Sequence, residues 1–290
     1  MNYRHAFHAG NFADVLKHAV LARVLVHLAA KATPYRVLDT HAGIGLYDLG
    51  ADEAARTGEW LGGIARLLAT PLPAPVADLL APWLDAVALV NGLTSARHLD
   101  ADRLARYPGS PLVIRAGLRH DDRATVTELH PHDAETLAAL FAGDARVKVT
   151  ELDGWLALKS FLPFKERRGL VVIDPPFEKP GEFDRVVKGL VAATRRFAGG
   201  IYMVWHPIKS AADLRRYHEA LVATGLRRLL SVEFAVAAPA TEGPLVACGL
   251  TFHNPPWKLT EEIEALLPTL VDRLAVGPGA FGRVHWLVPE

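Results

Sequence analysis

The sequence predicts an α/β fold built on a doubly wound, mostly parallel β-sheet. Short apolar runs typical of buried strands recur along its 290 residues. Stretches with helical spacing separate most of these runs, as in successive βαβ units. A glycine turn follows the first run, where a parallel strand meets the ligand-binding edge of such a sheet. Together these observations predict a sheet with helices on both faces.

The predicted elements begin with a helix over residues 11–31, which Asn11 or Asp14 would cap. A buried strand follows at residues 35–40. Further strands are predicted at residues 124–130, 145–153, 170–177, 200–207, 226–236 and 245–255. Because a short turn containing proline and glycine joins the last two strands, they are predicted to form an antiparallel hairpin.

One interval is too long for a simple βαβ unit. About 80 residues separate the glycine turn from the next strand, whereas such a unit needs only about 30 residues. Residues 52–106 are rich in Ala, Leu and Pro at helical spacing, which predicts an inserted helical subdomain. The predicted core therefore comprises residues 1–51 and 107–290. Ser110 is expected to cap the helix with which the core resumes.

Composition restricts the classes of protein that the chain can belong to. The 32 basic and 32 acidic residues give a formal net charge of zero, so any binding of nucleic acid must be local. The lone Cys248 excludes an internal disulfide and a cysteine-based zinc cluster. The 13 histidines show no paired metal-ligand spacing, so we expect no metal. Since no apolar signal segment opens the chain, we expect a cytoplasmic protein without a membrane partner. We also expect the protein to be a monomer.

Polar and glycine residues follow three predicted strands in chain order. Alone, each has an ordinary structural explanation such as an Asp-Gly turn. An acid after the second strand commonly accepts both ribose hydroxyls of a nucleoside, and an acid followed by glycine after the third can accept the adenine amine. Together they describe an adenosyl pocket, formed by His41, Gly43, Glu128, Asp153 and Gly154. The missing third glycine of the dinucleotide fingerprint argues against a nicotinamide-dependent oxidoreductase.

The motif Asp174-Pro175-Pro176-Phe177 carries the strongest chemical signal. It follows the buried run LVVI, and its two prolines fix an extended backbone. The Asp174 carboxylate and the Pro175 carbonyl can accept both N–H bonds of an arylamine, which favours a nitrogen lone pair directed at a methyl donor. Phe177 would stack on a base extruded from its helix. The motif resembles the [DNS]-Pro-Pro-[Tyr/Phe/Trp] signature of amino-methyltransferases.

Blocks spanning nearly the whole chain resemble one family. The blocks are YRHAFHAGNFADVLKH, LDTHAGIGLYDL, RTGEW, YPGSPL, TELHP, IDPPFE and NPPWKL. Together they resemble the bacterial 23S ribosomal RNA large-subunit adenine-N6 methyltransferase J family. The resemblance implies a Rossmann-like class I methyltransferase fold with an inserted helical subdomain, S-adenosyl-L-methionine as methyl donor, and naked or partly assembled 23S rRNA as substrate.

The same resemblance implies roles for individual residues. Asp174 would be the catalytic acceptor, beside the methyl donor, and Tyr3 would touch the RNA next to the basic Arg4. Phe177 stands where the family usually has tyrosine, which preserves stacking but removes a hydroxyl. The residues implied to contact S-adenosylmethionine are Lys17, His18, His41, Ser110, Glu128, Asp153 and Gly154.

Two other functions remain open on the sequence alone. The same motif serves DNA adenine-N6 methyltransferases, although the 55-residue insertion is small for a domain that reads DNA sequence. A non-catalytic RNA-binding assembly protein could retain a relic pocket, although the intact motif at 174–177 argues against it. Methylation of rRNA is therefore the predicted function.

Overall fold

The computed structural model describes residues 5–290, so Tyr3 and Arg4 lie outside the described residues. The strands are β1 (Arg36–Asp39), β2 (Leu46–Asp48), β3 (Arg106–Pro108), β4 (Arg123–Glu128), β5 (Val147–Glu151), β6 (Gly169–Ile173), β7 (Ile201–Pro207), β8 (Leu229–Ala235), β9 (Ala247–His253) and β10 (Phe281–Val288). The α-helices are α1 (Phe12–Ala29), α2 (Asp52–Thr57), α3 (Arg66–Leu68), α4 (Ala74–Val90), α5 (Ser110–Gly117), α6 (Pro131–Leu140), α7 (Gly154–Ser160), α8 (Glu182–Arg196), α9 (Ala211–Ala223) and α10 (Leu259–Leu274).

Within residues 5–290, eight strands form one sheet in the order β10-β8-β9-β7-β6-β1-β4-β5. The five strands from β7 to β5 are parallel, whereas β9 is antiparallel to both β7 and β8. The chain order reverses beside β1, so the carboxyl ends of β1 and β6 flank the crevice in which such sheets bind ligands. The predicted mostly parallel sheet and its antiparallel hairpin are confirmed.

Helices cover both faces of the sheet. Val37 and Leu38 of β1 are both fully buried but belong to opposite hydrophobic clusters, because successive side chains of a strand point to opposite faces. One cluster includes the apolar residues of α1, α4, α5 and α10, and the other includes those of α7, α8 and α9. This burial on both sides explains why the parallel strands read as continuous apolar runs.

Helix α1 begins next to the crevice. The Asn11 side chain caps it, accepting from the backbone amides of Ala13 at 2.9 Å and Asp14 at 3.0 Å. The predicted cap at Asn11 is therefore confirmed. Asp14 instead points inward, and its Oδ2 accepts from the Gly10 amide at 2.9 Å. No helix within the described part of the chain is long and apolar enough to cross a membrane.

The helical segment between β2 and β3 leaves and rejoins the fold at one place. The two strands pair antiparallel, with Leu46 opposite Pro108. Helix α4 of this segment packs on α1 and α10, and its Leu80, Trp83 and Val87 belong to the same hydrophobic cluster as α1. The segment therefore shares its core with the rest of the fold, and the division at residues 52 and 106 stays a prediction.

The sequence prediction missed the short strands β2 and β3, and the structure differs from it in two further details. Ser110 is the first helical residue of α5 and does not cap it, because Gly109 takes the extended cap position and the Ser110 hydroxyl donates to Asp39 Oδ2 at 2.6 Å. The edge strand β10 was not predicted, because its outer position leaves polar residues such as Arg283 and His285 interspersed among apolar ones. Edge strands commonly carry such charged side chains.

Candidate active site

A cavity of about 670 Å³ opens at the carboxyl ends of β1, β4 and β6. Its volume falls within the range of about 300–1,000 Å³ that is usual for small-molecule sites. His18 is the one described residue of the predicted set that does not line it. The predicted residues that line the cavity are Lys17, His41, Gly43, Ser110, Glu128, Asp153, Gly154, Asp174, Pro175 and Phe177.

Glu128 ends β4 and joins two loops at the cavity wall. Its Oε2 accepts from the Gly43 amide at 2.9 Å, and its Oε1 accepts from the His130 amide at 2.8 Å. The carboxylate thereby holds the glycine turn in place. Because each carboxylate oxygen can accept more than one hydrogen bond, Glu128 can also accept from ligand hydroxyls.

Hydrogen bonds determine the proton position on His41. The Thr40 hydroxyl donates its single proton to the Val172 carbonyl at 3.0 Å, so His41 Nδ1 must donate to the Thr40 oxygen at 2.8 Å. Burial lowers the pKa of His41 to about 4. His41 is therefore neutral at pH 7 and presents Nε2 as an acceptor. A Cβ at Gly154 would lie 2.3 Å from the Thr40 carbonyl oxygen, so only glycine permits this close packing.

Asp153 combines a structural role with its place in the cavity wall. Its Oδ1 caps α7, accepting from the amides of Trp155 at 2.8 Å and Leu156 at 3.1 Å. Its Oδ2 lies 3.5 Å from an Nη of Arg185. The Arg185 guanidinium in turn lies over the Trp155 ring, with its Cζ 5.1 Å from the ring centroid. This arrangement leaves Oδ2 at the cavity with one cationic neighbour.

A buried ion pair joins α1 to the Asp-Pro-Pro-Phe motif. Lys17 Nζ lies 2.7 Å from Asp174 Oδ2 and 2.8 Å from Asp14 Oδ1. Although burial opposes the charge on Lys17, the two carboxylates raise its pKa well above the ordinary value. Lys17 is therefore a fixed cation that holds one oxygen of Asp174.

His18 lies in the core beside this ion pair. Its side chain is fully buried, its Nδ1 lies 2.8 Å from the Tyr107 hydroxyl, and its Nε2 lies 3.9 Å from Asp14 Oδ1. Burial lowers the pKa of His18 to about 3, so the imidazole is neutral. The structure thus brings Lys17 to the cavity and places His18 behind it, in hydrogen-bond contact with Tyr107.

Phe177 presents an aromatic ring to the cavity. Its ring centroid lies 5.0 Å from that of Phe183 and 6.0 Å from that of Trp205, which also lines the cavity. Its φ of 51° is in the left-handed region, which bulky residues rarely adopt. Backbone strain of this kind concentrates at functional sites.

Several lining residues were not singled out from the sequence. Trp205 lies near the carboxyl end of β7 and Lys209 follows that strand, so the rule that parallel strands end at the ligand-binding edge could have indicated both. Glu182 is buried, and its Oε1 accepts no hydrogen bond from the described residues. Glu59 reaches the cavity from the helical insertion, and only its place in the block RTGEW marked it.

Comparison with known proteins identifies the family. A family model described as RsmJ: Ribosomal RNA large subunit methyltransferase D, RlmJ matches residues 32–288. The chain belongs to this family. It is 41% identical over 291 residues to Ribosomal RNA large subunit methyltransferase J of Escherichia coli strain K12, with full coverage of both chains. The protein of the same name from Haemophilus influenzae is 39% identical over the same length, again with full coverage.

A solved structure shares the fold of this RlmJ-family chain. The crystal structure of a Legionella pneumophila protein superposes with a TM-score of 0.84 at 31% identity, covering 96% of this chain and 98% of that one. The predicted resemblance and the predicted enzyme class, a methyltransferase, are therefore confirmed. Methyltransferases of this family and fold use S-adenosylmethionine as methyl donor.

The chemistry of the cavity wall fits this donor. Adenosine offers hydroxyl and amine donors, and the wall presents acceptors at Glu128, Asp153 and His41 Nε2. Glu182 adds a buried carboxylate oxygen that accepts no hydrogen bond within the described part of the chain. Burying such acceptors unpaired is costly, so a donor-rich ligand would satisfy them. The residues present therefore fit S-adenosylmethionine.

Proposed function

We propose that this RlmJ-family chain methylates the exocyclic N6 amine of an adenine in 23S rRNA, with Asp174 as the acceptor that orients the amine. The observation that carries the proposal is the ion pair between Lys17 and Asp174 in a cavity that Phe177 also lines. This arrangement fixes a carboxylate beside an aromatic platform, as N-methylation of a stacked base requires.

The chemistry follows from the weak nucleophilicity of an arylamine. Lys17 holds Asp174 Oδ2 at 2.7 Å, which leaves Oδ1 to accept one N–H bond of the amine. The Pro175 carbonyl accepts the second, so that the nitrogen lone pair is freed from the ring. Bound S-adenosylmethionine supplies an electrophilic methyl group. Asp174 stabilises the positive charge that develops on nitrogen, and it attracts the proton that must leave.

The strand tips would bind the adenosyl part of the donor. Glu128 accepts from the ribose hydroxyls and Asp153 from the adenine amine, while Gly43 and Gly154 allow the backbone to approach. Ser110 acts at the wall and through its bond to buried Asp39. Because His18 does not line the cavity, a direct contact with the donor would require α1 to move. Its proposed role here is to hold Tyr107 beside α1.

The other end of the cavity would receive the RNA. Phe177 would stack on the flipped adenine, and the cations Lys179 and Lys209 at the wall would contact phosphates. Tyr3 and Arg4, which precede the described residues, are proposed to contact the RNA as well. Because the base must leave its helix, naked or partly assembled rRNA is the proposed substrate, which would be methylated in the cytoplasm by a monomer.

The test separates chemistry from binding of the donor. Asp174→Ala should reduce single-turnover methylation of unmodified 23S rRNA at least about a thousandfold, while the Kd for S-adenosylmethionine stays nearly unchanged. Glu128→Ala should do the reverse, raising that Kd about ten- to a hundredfold. Asp174→Asn keeps one acceptor and should retain more activity than the alanine variant if orientation dominates.

The same assay distinguishes the alternative functions. Nucleoside analysis of the product should show N6-methyladenosine from rRNA and no methylation of DNA. Methylated DNA would favour a DNA adenine-N6 methyltransferase, whereas no product from either substrate would favour a non-catalytic RNA-binding protein. Near-normal rates in Asp174→Ala would remove Asp174 from the catalytic role.

A further inference from the structure

Two histidines and a glutamate meet outside the catalytic cavity. His218 of α9, Glu233 of β8 and His285 of β10 each offer one ligand atom, and these atoms lie within 4.8 Å of one another. The three side chains line a separate surface groove of about 750 Å³, whose lining residues include none that line the catalytic cavity.

The pairing of the two strands explains why these residues meet. Ser231 lies opposite His285 and Glu233 lies opposite Arg283 in the antiparallel ladder. Because residues two apart on a strand share a face, all four side chains stand on the same side of the sheet. Helix α9 packs on this side and brings His218 over them. A polar cluster therefore occupies one face of an otherwise apolar sheet edge.

The hydrogen bonds of Glu233 orient its carboxylate and leave one oxygen for another partner. Arg283 donates from Nε at 2.8 Å and from an Nη at 2.5 Å, and both bonds reach Oε2. His285 Nε2 lies 3.8 Å from the other oxygen, Oε1. Glu233 itself is 2% exposed, so its Oε1 faces the cluster from a buried position. Carboxylate ligands of metal ions are commonly oriented by hydrogen bonds of this kind.

His218 extends from α9 into the groove, beside polar and charged neighbours. Its Nε2 lies 3.2 Å from the Ser231 hydroxyl. The other charged groups lining the groove are Arg215 and Glu219, one of each sign. Arg283 is the cation that any metal ion would face, and its pairing with Oε2 partly neutralises it.

We propose that His218, Glu233 and His285 form a binding site for a divalent transition-metal ion such as Zn²⁺, separate from the catalytic cavity. Two imidazoles and one carboxylate, with water as the fourth ligand, are a set that Zn²⁺ accepts. Mg²⁺ and Ca²⁺ prefer sets made entirely of oxygen. Tetrahedral ligands around Zn²⁺ lie roughly 3.4 Å apart, so ligand atoms that lie up to 4.8 Å apart must approach one another by up to about 1.4 Å. The His285 side chain is 42% exposed and has room to make this movement.

Such a site would join three elements that are distant in sequence. The ion would connect the edge strand β10 to β8 and to α9, and would stabilise the fold by binding only its folded form. Glu233→Gln is an unsuitable test, because it leaves Arg283 unpaired. The histidines are better targets, and His285 in particular is at the surface.

The experiment titrates the full-length, chelator-treated chain with Zn²⁺ in a calorimeter. The wild type should bind one Zn²⁺ per chain, and His218→Ala and His285→Ala should each weaken this binding at least about tenfold. His120→Ala is the matched control, because His120 is a 96% exposed histidine beside Asp121. It should bind Zn²⁺ as tightly as the wild type. Zn²⁺ should also raise the unfolding temperature of the wild type and not that of His285→Ala.

Either of two results would overturn the proposal. The first is a wild type that binds no stoichiometric Zn²⁺. The second is a His285→Ala chain that folds normally, as judged by its circular dichroism without metal, and still binds Zn²⁺ with wild-type affinity. Because both measurements follow binding and stability, they are independent of whether the chain methylates rRNA.

Discussion

At the scale of single residues, Asp39 is a buried carboxylate under the catalytic cavity. Its side chain is fully buried at the tip of β1, and Ser110 donates to it at 2.6 Å. Burial raises its pKa to about 6, while the bond from Ser110 acts in the opposite direction. The charged form of Asp39 therefore lowers the free energy of unfolding at neutral pH. The same carboxylate holds α5 against β1 through its bond to Ser110.

This cost predicts a specific dependence of stability on pH. The pKa of Asp39 is raised in the folded state, so the folded chain binds the extra proton and gains stability as the pH falls through about 6. Between pH 7.5 and pH 5 the free energy of unfolding of the wild type should rise by about 1 kcal/mol relative to that of Asp39→Asn, in which residue 39 cannot titrate. Urea unfolding of both chains at the two pH values measures the difference. An equal change in the free energy of unfolding of both chains between the two pH values would contradict the assignment of the raised pKa to Asp39.

Phe177 offers a second prediction at this scale. If its ring stacks on the target base, Phe177→Ala should lower kcat/KM for rRNA roughly ten- to a hundredfold, because stacking contributes about 1–3 kcal/mol per base. Phe177→Tyr should stay close to the wild type, and the Kd for S-adenosylmethionine should change little in both. Phe177→Gly is the control for backbone strain, since glycine adopts the φ of 51° freely. It should be more stable than the alanine variant but show the same reduced kcat/KM.

At the scale of elements, the helical insertion contacts the segment that leads into α1. Glu59 accepts from His8 Nδ1 at 3.0 Å and from Asn11 Nδ2 at 2.9 Å. The Ile64 amide donates to the Gly10 carbonyl at 2.9 Å. A Cβ at Gly63 would lie 2.0 Å from the same carbonyl oxygen, so glycine is required for this contact. The insertion therefore holds the residues that precede α1, the helix that carries Lys17.

The pair of His8 and Glu59 predicts a contribution to stability that depends on pH. Glu59 raises the pKa of His8, and His8 lowers that of Glu59. The stabilisation is complete below the ordinary histidine value of 6.5 and is lost as the pH rises through the raised pKa of His8. It is also lost in acid, as Glu59 becomes protonated. Glu59→Gln should therefore destabilise the chain most near pH 5.5, by at most about 1 kcal/mol because both side chains are about a third exposed.

Thermal unfolding of Glu59→Gln between pH 5 and pH 9 measures this effect. Asp78→Asn, an exposed change on α4 of the same insertion, is the matched control and should show no such dependence. If the pair of His8 and Glu59 helps to position the cavity residues, Glu59→Gln should also raise KM for rRNA more than it lowers kcat. A constant difference from the wild type at every pH would contradict the role assigned to the pair of His8 and Glu59.

At the scale of the whole molecule, the balanced charge limits how the chain holds RNA. With 32 basic and 32 acidic residues, the protein has no general positive field. Among the described residues, the lysines and arginines that line the cavity, apart from buried Lys17, are Lys179, Arg185 and Lys209. Binding of a polyanion must therefore depend on a few phosphate contacts at the mouth.

This predicts a shallow dependence of RNA affinity on salt. Three contacts with single-stranded RNA give a slope of log affinity against log salt of about −2, because each contributes about −0.7. Lys209→Ala removes one contact and should make the slope shallower by about 0.7. Lys258→Ala is the control. Lys258 is exposed and follows β9, which is antiparallel to β7, so it lies at the amino ends of the parallel strands, away from the cavity. A slope steeper than about −5 would show that a larger, unrecognised surface binds the RNA.

Much of the fold and the site could be predicted from the sequence, for a physical reason. A parallel strand buried on both faces needs a continuous apolar run, and all such strands end at one edge of the sheet. Polar residues that follow these runs must therefore come together, as Glu128, Asp153 and Asp174 do. The Asp-Pro-Pro-Phe motif and the family follow from the same local information.

Other features depend on packing between elements, and no local pattern encodes them. Lys17 and Asp174 are 157 positions apart and meet only because tertiary packing brings α1 to the carboxyl end of β6. Glu59 reaches the cavity because the insertion folds back onto α1. His218, Glu233 and His285 share no sequence spacing, and the antiparallel pairing of β8 and β10 beneath α9 brings them together. The sequence by itself determined most of the strands, the end of the sheet at which the parallel strands finish and the Asp-Pro-Pro-Phe motif. The tertiary structure decided the partners of each charged group, because a side-chain pair forms only where separate elements are packed within a few ångströms of each other.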